Sequence, residues 1–292
     1  MKNRLYDVQA VFTLDHPLGI IHGQKGKDRG GRAMTTSETR KRRAQPIRLT
    51  GTQTALLLIH GFTGTSEEFR PMAEFFQAKG LSIYAPLLPG HGTSPEAMAK
   101  TRWTDWWQAV LDAYHLLEQE GYRPIYVAGL SMGGALTLYL AAHVRPQAIF
   151  SLAAPLRFRD KRAYFARYLY PLKPFLPRDG QKPEHIERYL VPYDRTPVRS
   201  VAELATLLRH VRRALPNVIV PAFIGQGRLD ETIIADDARL IYETIGTPRD
   251  QKVLKWYDRS SHLMILDHDH QQLFEDMWAF IQNIQTNTQN DA

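Results

Sequence analysis

From residue 46 onward, short and nearly uninterrupted apolar runs alternate with longer stretches of helical periodicity, and this alternation narrows the possible folds more than any other feature. Thr54–His60, Leu81–Leu87, Pro124–Leu130, Ala148–Ala154, Pro221–Gly227 and Lys252–Tyr257 read as strands. Several lack the polar–apolar alternation of a half-exposed sheet, as expected when both sheet faces are covered. Between them, Ser66–Lys79 places Phe69, Met72, Ala73 and Phe76 on one helical face. Thr104–Gln119 does the same with Trp106, Trp107, Val110, Leu111, Tyr114 and Leu117, and Thr104 or Asp105 offers a cap. Met132–His143, Ala235–Ile245 and Gln271–Ile284 complete the helical set. Strand and helix in strict succession imply parallel pairing through right-handed crossovers. The expected fold class is therefore α/β, with a mostly parallel, doubly wound sheet.

Residues 156–215 break this rhythm. They are rich in proline, arginine and tyrosine, with helical patterns at Glu184–Tyr189 and Val201–Leu215 and no clear strand. They read as a helical cap of about 60 residues inserted at the carboxyl edge of the sheet, where such folds bind ligands. The expected organisation is a flexible basic extension (1–45), an α/β core (46–155 and 216–292) and the cap (156–215). Met34 followed by Thr-Thr-Ser-Glu offers an alternative start, which would make part of the extension an artefact of the gene model.

The chain holds no cysteine, which excludes disulfides, thiolate metal sites and cysteine nucleophiles. Its 43% hydrophobic content excludes a disordered chain. The apolar run Ala55–Ile59 falls far short of the roughly 20 residues that span a bilayer, and no secretory leader is visible, so a cytoplasmic protein is expected. The net charge of +7 is uneven: ten Lys or Arg face four acidic residues in 1–43, and fourteen face six in 157–213. Without a nucleic-acid reading motif, the run Arg40–Arg43 reads as a solvated tail, and no nucleic acid is expected at the core. The basic cap or tail could make weak contact with an anionic membrane surface.

The sharpest chemical signal is Gly129-Leu130-Ser131-Met132-Gly133-Gly134, lying directly between a strand and a helix. Small residues around the serine permit an abrupt turn that lifts its hydroxyl above the sheet edge, with the helix N-terminus aimed at it. A hydroxyl is a poor nucleophile and needs a base held by a carboxylate. Where a serine is presented this way, the carboxylate and then the histidine follow it along the chain. His262 leaves the last strand in a short loop, whereas His268 and His270 sit in an acidic helix start that reads as a solvated cap. Asp230, three residues beyond the strand Pro221–Gly227, is the preferred carboxylate over Glu231, Asp236 and Asp237, the last two reading as helix caps. A tetrahedral intermediate requires two backbone N–H donors, expected from Met132 and from Phe62 in His60-Gly61-Phe62-Thr63-Gly64.

These motifs, with Pro86-Leu87-Leu88-Pro89-Gly90-His91-Gly92 and Ser261-His262, resemble the α/β-hydrolase superfamily, and within it bacterial carboxylesterases of the monoacylglycerol lipase-like group. The resemblance covers roughly residues 46–285, with Ser261 standing where the family usually has glycine. It implies a serine hydrolase of short- to medium-chain acyl esters or monoacylglycerols, with Ser131, Asp230 and His262 as triad, Phe62 and Met132 as oxyanion donors, and no metal or organic cofactor. A thioesterase, amidase or carbon–carbon bond hydrolase would use the same triad, and a non-catalytic binding module is the remaining alternative. His60 and Pro89–Gly92 read as loop-shaping residues, and Trp103, Trp106 and Trp107 as packing. Tyr164, Phe165, Tyr168, Tyr170 and Phe175 either line a pocket or form a small core within the cap.

Overall fold

The computed structural model describes residues 44–178, 180 and 182–290, the last four by backbone alone. The alternative start at Met34, the run Arg40–Arg43 and the rest of 1–43 lie outside the described residues. Among the described residues, nine strands follow in chain order: β1 (Ile47–Leu49), β2 (Ala55–Ile59), β3 (Ser82–Ala85), β4 (Ile125–Leu130), β5 (Ala148–Leu152), β6 (Phe175–Pro177), β7 (Arg195–Pro197), β8 (Ala222–Gly227) and β9 (Lys252–Tyr257). The α-helices are α1 (Arg70–Ala78), α2 (Pro95–Met98), α3 (Trp103–Gln119), α4 (Met132–Ala141), α5 (Ala166–Leu169), α6 (Glu184–Glu187), α7 (Val198–Ala214), α8 (Asp237–Thr244) and α9 (His270–Asn290).

Seven strands form one sheet in the order β1-β3-β2-β4-β5-β8-β9, parallel throughout except for β1 against β3. This is the mixed α/β architecture of the α/β-hydrolase fold. Every residue of β2, β4, β5 and β8 is buried, which explains their continuous apolar runs. Alternation persists as a division between the two faces. Leu57, Ile59, Val127, Ile149 and Ile224 pack with Trp106, Val110 and Leu136 from α3 and α4. Leu56, Leu58, Tyr126, Phe150 and Phe223 pack with Met72 and Phe76 of α1 and with Phe274 and Met277 of α9. From β2 the chain winds first outward to β3 and then back to β4 on the other side. Strand order therefore reverses between β2 and β4, and a crevice opens at their carboxyl ends.

Several boundaries differ from the sequence reading. Ala44 and Gln45, assigned to the extension, pack on the body: Ala44 is buried, and the Gln45 carbonyl accepts a hydrogen bond from Ser66 Oγ. Helix α3 starts one residue early because Asp105 accepts from the Arg102 N–H at 2.8 Å, capping from its third position. Strand β1 and the antiparallel pair β6–β7 are three residues each, too short to produce a periodic signal. Segment 156–215 also shares its packing with the rest of the chain. Leu204, Leu207, Leu208 and Val211 of α7 join the core cluster of α3 and α4, while Ala163, Ala166, Leu176, Val198 and Val201 form a smaller one. Among the described residues, no helix is long and apolar enough to cross a membrane.

Candidate active site

Strand β4 delivers Ser131 to the crevice in a strained conformation, with φ 56° and ψ −121°. A non-glycine residue holds that backbone only when its surroundings enforce it. Here the enforcement comes from close packing by its small neighbours. A β-carbon on Gly129 would lie 2.1 Å from the Gly133 carbonyl oxygen, and one on Gly133 would lie 1.9 Å from that of Ile59. The glycines are thus required by proximity, and the strain sits on the serine. On the opposite wall, a β-carbon on Gly61 would lie 3.3 Å from Ser131 Cβ, so the loop after β2 passes directly beside the hydroxyl. Phe62 follows Gly61 on that loop, and Met132 opens α4, so the two expected N–H donors belong to the two segments that meet at Ser131.

The structure brings Ser131, His262 and Asp230 into one hydrogen-bonded chain. His262 Nε2 lies 2.9 Å from Ser131 Oγ, and Nδ1 lies 2.8 Å from Asp230 Oδ2. With the carboxylate as acceptor, Nδ1 carries the proton and Nε2 is left to accept from the serine hydroxyl. Asp230 is itself fixed by three more donors: Gln226 Nε2 at 2.9 Å, Thr232 N at 2.9 Å and Ile233 N at 3.1 Å. Burial opposes its ionisation, but the adjacent imidazole and these donors prevail and hold its pKa below the ordinary value. Burial likewise disfavours the His262 imidazolium, and the Asp230 carboxylate more than offsets this, raising the histidine pKa.

The rival residues have other roles. Glu231 pairs with Lys182 at 2.7 Å, and Asp236 with Arg239 at 3.6 Å. Asp237, expected as a helix cap, is fully buried. It accepts from Leu156 N, Arg157 N and the Arg157 guanidinium at 2.6–2.9 Å, tying the start of the inserted segment to α8. His60 donates to the Gly61 carbonyl through Nδ1 and accepts from Leu88 N through Nε2, each at 3.0 Å. Burial lowers its pKa to about 4, so it stays neutral and braces the loop.

The acidic stretch Asp267-His268-Asp269-His270 departs most from its sequence reading. His268 is exposed, but both carboxylates are buried and hold the loop that carries His262. Asp267 accepts from Ser261 N at 2.8 Å and Ser261 Oγ at 2.5 Å, and Asp269 from Arg259 N at 2.8 Å and Ser260 Oγ at 3.1 Å. Ser261 is therefore anchored by its own hydroxyl. Gln226 and Glu68 also escaped the sequence reading. A lone amide in the apolar run Ala222–Gly227 was the available signal for Gln226, whereas nothing in the sequence singled out Glu68. Glu68 faces the site from the turn before α1; burial pushes its carboxyl up to about 7, with Arg178 and His262 pulling the other way.

A cavity of about 310 Å³ opens onto Ser131 and His262. Phe62, Leu130, Leu263 and Ile233 line its floor, and Phe158, Ala163, Leu190, Val191, Val201 and Leu204 of segment 156–215 close it. Of the aromatics expected either to line a pocket or to form a small core within the cap (Tyr164, Phe165, Tyr168, Tyr170 and Phe175), none lines this cavity: Phe165 and Tyr168 are 61% and 62% exposed, and Tyr164 and Tyr170 face a separate outer hollow.

The model of the serine aminopeptidase S33 family (Hydrolase_4) matches residues 50–269. The chain belongs to this family of α/β-hydrolases. It is 32% identical over 240 residues to a carboxylesterase of Bacillus subtilis (strain 168), covering 82% of this chain and 97% of that one. It is also 32% identical to a thermostable monoacylglycerol lipase of Bacillus sp. (strain H-257), over 80% of this chain and 92% of the relative. A solved structure from the metagenome-derived lipolytic enzymes LipS and LipT superposes with a TM-score of 0.77 at 33% identity, covering 82% of this chain and 98% of the other. By kind, the chain is a hydrolase of the carboxylesterase and monoacylglycerol lipase type.

Proposed function

We propose that this hydrolase cleaves carboxylic esters, of short- to medium-chain acids or monoacylglycerols, with Ser131 as nucleophile, His262 as base and Asp230 as its orienting carboxylate. The observation that carries this reading is the continuous chain Ser131 Oγ–His262–Asp230, with contacts of 2.9 and 2.8 Å, at the floor of a largely apolar cavity. Ser131 Oγ attacks the ester carbonyl carbon as its proton passes to His262 Nε2. The carbonyl oxygen becomes an oxyanion facing the N–H groups of Phe62 and Met132. The intermediate collapses, the C–O bond to the alcohol breaks, and His262 returns the proton to the leaving oxygen. Water, deprotonated by the same imidazole, then releases the acid and restores Ser131.

Hydrolysis of a p-nitrophenyl ester series from acetate to palmitate, by wild type and Ser131→Ala, tests the assignment. Turnover by wild type that disappears in the variant is the expected result, and the chain-length optimum of the series sizes the acyl pocket. A folded wild type inert to every member would point to a thioester, amide or carbon–carbon bond as the target. We also propose that the outer face of the cap meets anionic lipid surfaces. Exposed Phe165, Tyr168 and Leu172 lie among Lys161, Arg162, Arg167 and Lys173, a composition suited to an anionic interface. Co-sedimentation with phosphatidylglycerol vesicles but not phosphatidylcholine vesicles is expected, and equal behaviour with both would remove this reading.

A further inference from the structure

Outside the serine site, three potential ligands converge where segment 156–215 meets the main body. His185 lies on α6, while Asp267 and His268 lie on the turn before α9. His185 Nε2 is 3.4 Å from Asp267 Oδ1, His268 Nε2 is 3.9 Å from the same oxygen, and one ligand atom from each residue falls within 4.8 Å of the others. A triangle with sides of 3.4 and 3.9 Å and a third of at most 4.8 Å has its equidistant point about 2.4 Å from each corner, close to the zinc–nitrogen and zinc–oxygen distances of about 2.0–2.2 Å.

We propose that His185, Asp267 and His268 form a binding site for a divalent transition-metal ion such as Zn²⁺. Two imidazoles and one carboxylate, in a chain without cysteine, suit Zn²⁺, Cu²⁺ or Ni²⁺, whereas Ca²⁺ and Mg²⁺ require sets of oxygen ligands. The carboxylate is already oriented: Ser261 N–H and O–H occupy Asp267 Oδ2, while Oδ1 accepts from His268 N at 2.9 Å and lies near both imidazoles with a second lone pair to offer. Such outer hydrogen bonds fix a ligand before the metal arrives. His185 is half-buried, Asp267 buried and His268 exposed, so an ion can enter from solvent and keep water in its remaining positions.

The site lies between two functional segments. Residues flanking α6 include Lys182, paired with Glu231 beside Asp230, and Leu190 and Val191, which line the cavity. Asp267 holds Ser261, the neighbour of His262. A bound ion therefore cross-links the cavity wall to the loop carrying the imidazole, and its role is structural or regulatory, separate from the ester chemistry.

The test is titration of the full, untagged chain with Co²⁺ and Zn²⁺, followed by visible absorption and calorimetry. One ion per chain, a Co²⁺ d–d band of low coordination number, and a thermal midpoint raised by Zn²⁺ are expected. His185→Ala and His268→Ala should each weaken binding at least tenfold and abolish the rise in midpoint, while retaining the metal-free midpoint because both side chains reach solvent. Absence of binding at millimolar ion, or unchanged affinity in both variants, would overturn the proposal. Either result leaves the esterase assignment untouched.

Discussion

Asp267→Ala probes how far the hydrolase depends on the support behind its histidine loop. The substitution deletes four acceptor contacts, to Ser261 N at 2.8 Å, Ser261 Oγ at 2.5 Å, His268 N at 2.9 Å and half-buried His185 Nε2 at 3.4 Å. Hydrogen bonds to a charged acceptor contribute about 1.5–3 kcal/mol each. His268 is exposed and the half-buried Ser261 hydroxyl can turn to water, so the loss centres on the Ser261 N–H. A destabilisation of about 2–4 kcal/mol follows. The next residue is His262, and a displacement of about 1 Å at a reacting group costs on the order of 10²-fold. Since Asp267 does not line the cavity, kcat should fall 10- to 100-fold with KM nearly unchanged. Guanidinium denaturation and steady-state hydrolysis of a p-nitrophenyl ester measure both quantities. Asp267→Asn, which retains one oxygen, should lie between wild type and Asp267→Ala. A variant with reduced stability but wild-type kcat would show instead that the loop holds His262 without this brace.

Three further outcomes follow from the same contacts. The His262 pKa is raised above its ordinary 6.5 and the base must be neutral, so kcat/KM should rise with pH through a value above 6.5. Asp230→Asn should move that limb downward and cut the plateau rate by about 10⁴-fold. Glu68 titrates at about 7 when folded and at its ordinary 4.5 when unfolded, so native stability declines as pH rises through this interval. Glu68→Gln should therefore stabilise the protein by up to about 3 kcal/mol at pH 8 and by little at pH 4, as read by denaturation at both values. Asp237→Ala leaves the Leu156 and Arg157 N–H groups without their buried acceptor, while the half-exposed Arg157 guanidinium can turn to water, and should cost about 2–4 kcal/mol in the same assay.

The fold was legible because covered parallel strands must be apolar on both faces, a signal that stands out over five or six residues in β2, β4, β5 and β8. Ser131, Asp230 and His262 were singled out by position, since they lie one, three and five residues beyond the carboxyl ends of β4, β8 and β9. Their supports were not. Whether an acidic side chain points to solvent or into a loop depends on partners distant in sequence, and Asp237 finds its own 80 and 81 residues away. Asp267 and Asp269 reach only 6–10 residues back, yet helix-start acids are ordinarily solvated, so composition alone pointed the wrong way. The choice for the cap aromatics between pocket lining and a small core stayed open for a related reason: apolar content does not reveal which face of a short, irregular segment turns inward, and Phe158 occupies the cavity wall.

We propose above all that Ser131 is the nucleophile and that His262 activates it. The most direct test is labelling the full chain with an alkyl fluorophosphonate, followed by peptide mass spectrometry and repeated with His262→Ala. A single phosphonyl adduct on Ser131 in wild type, and strongly slowed labelling in the variant, are the expected results. An adduct on another residue, or labelling of Ser131 at the same rate without His262, would contradict the proposal.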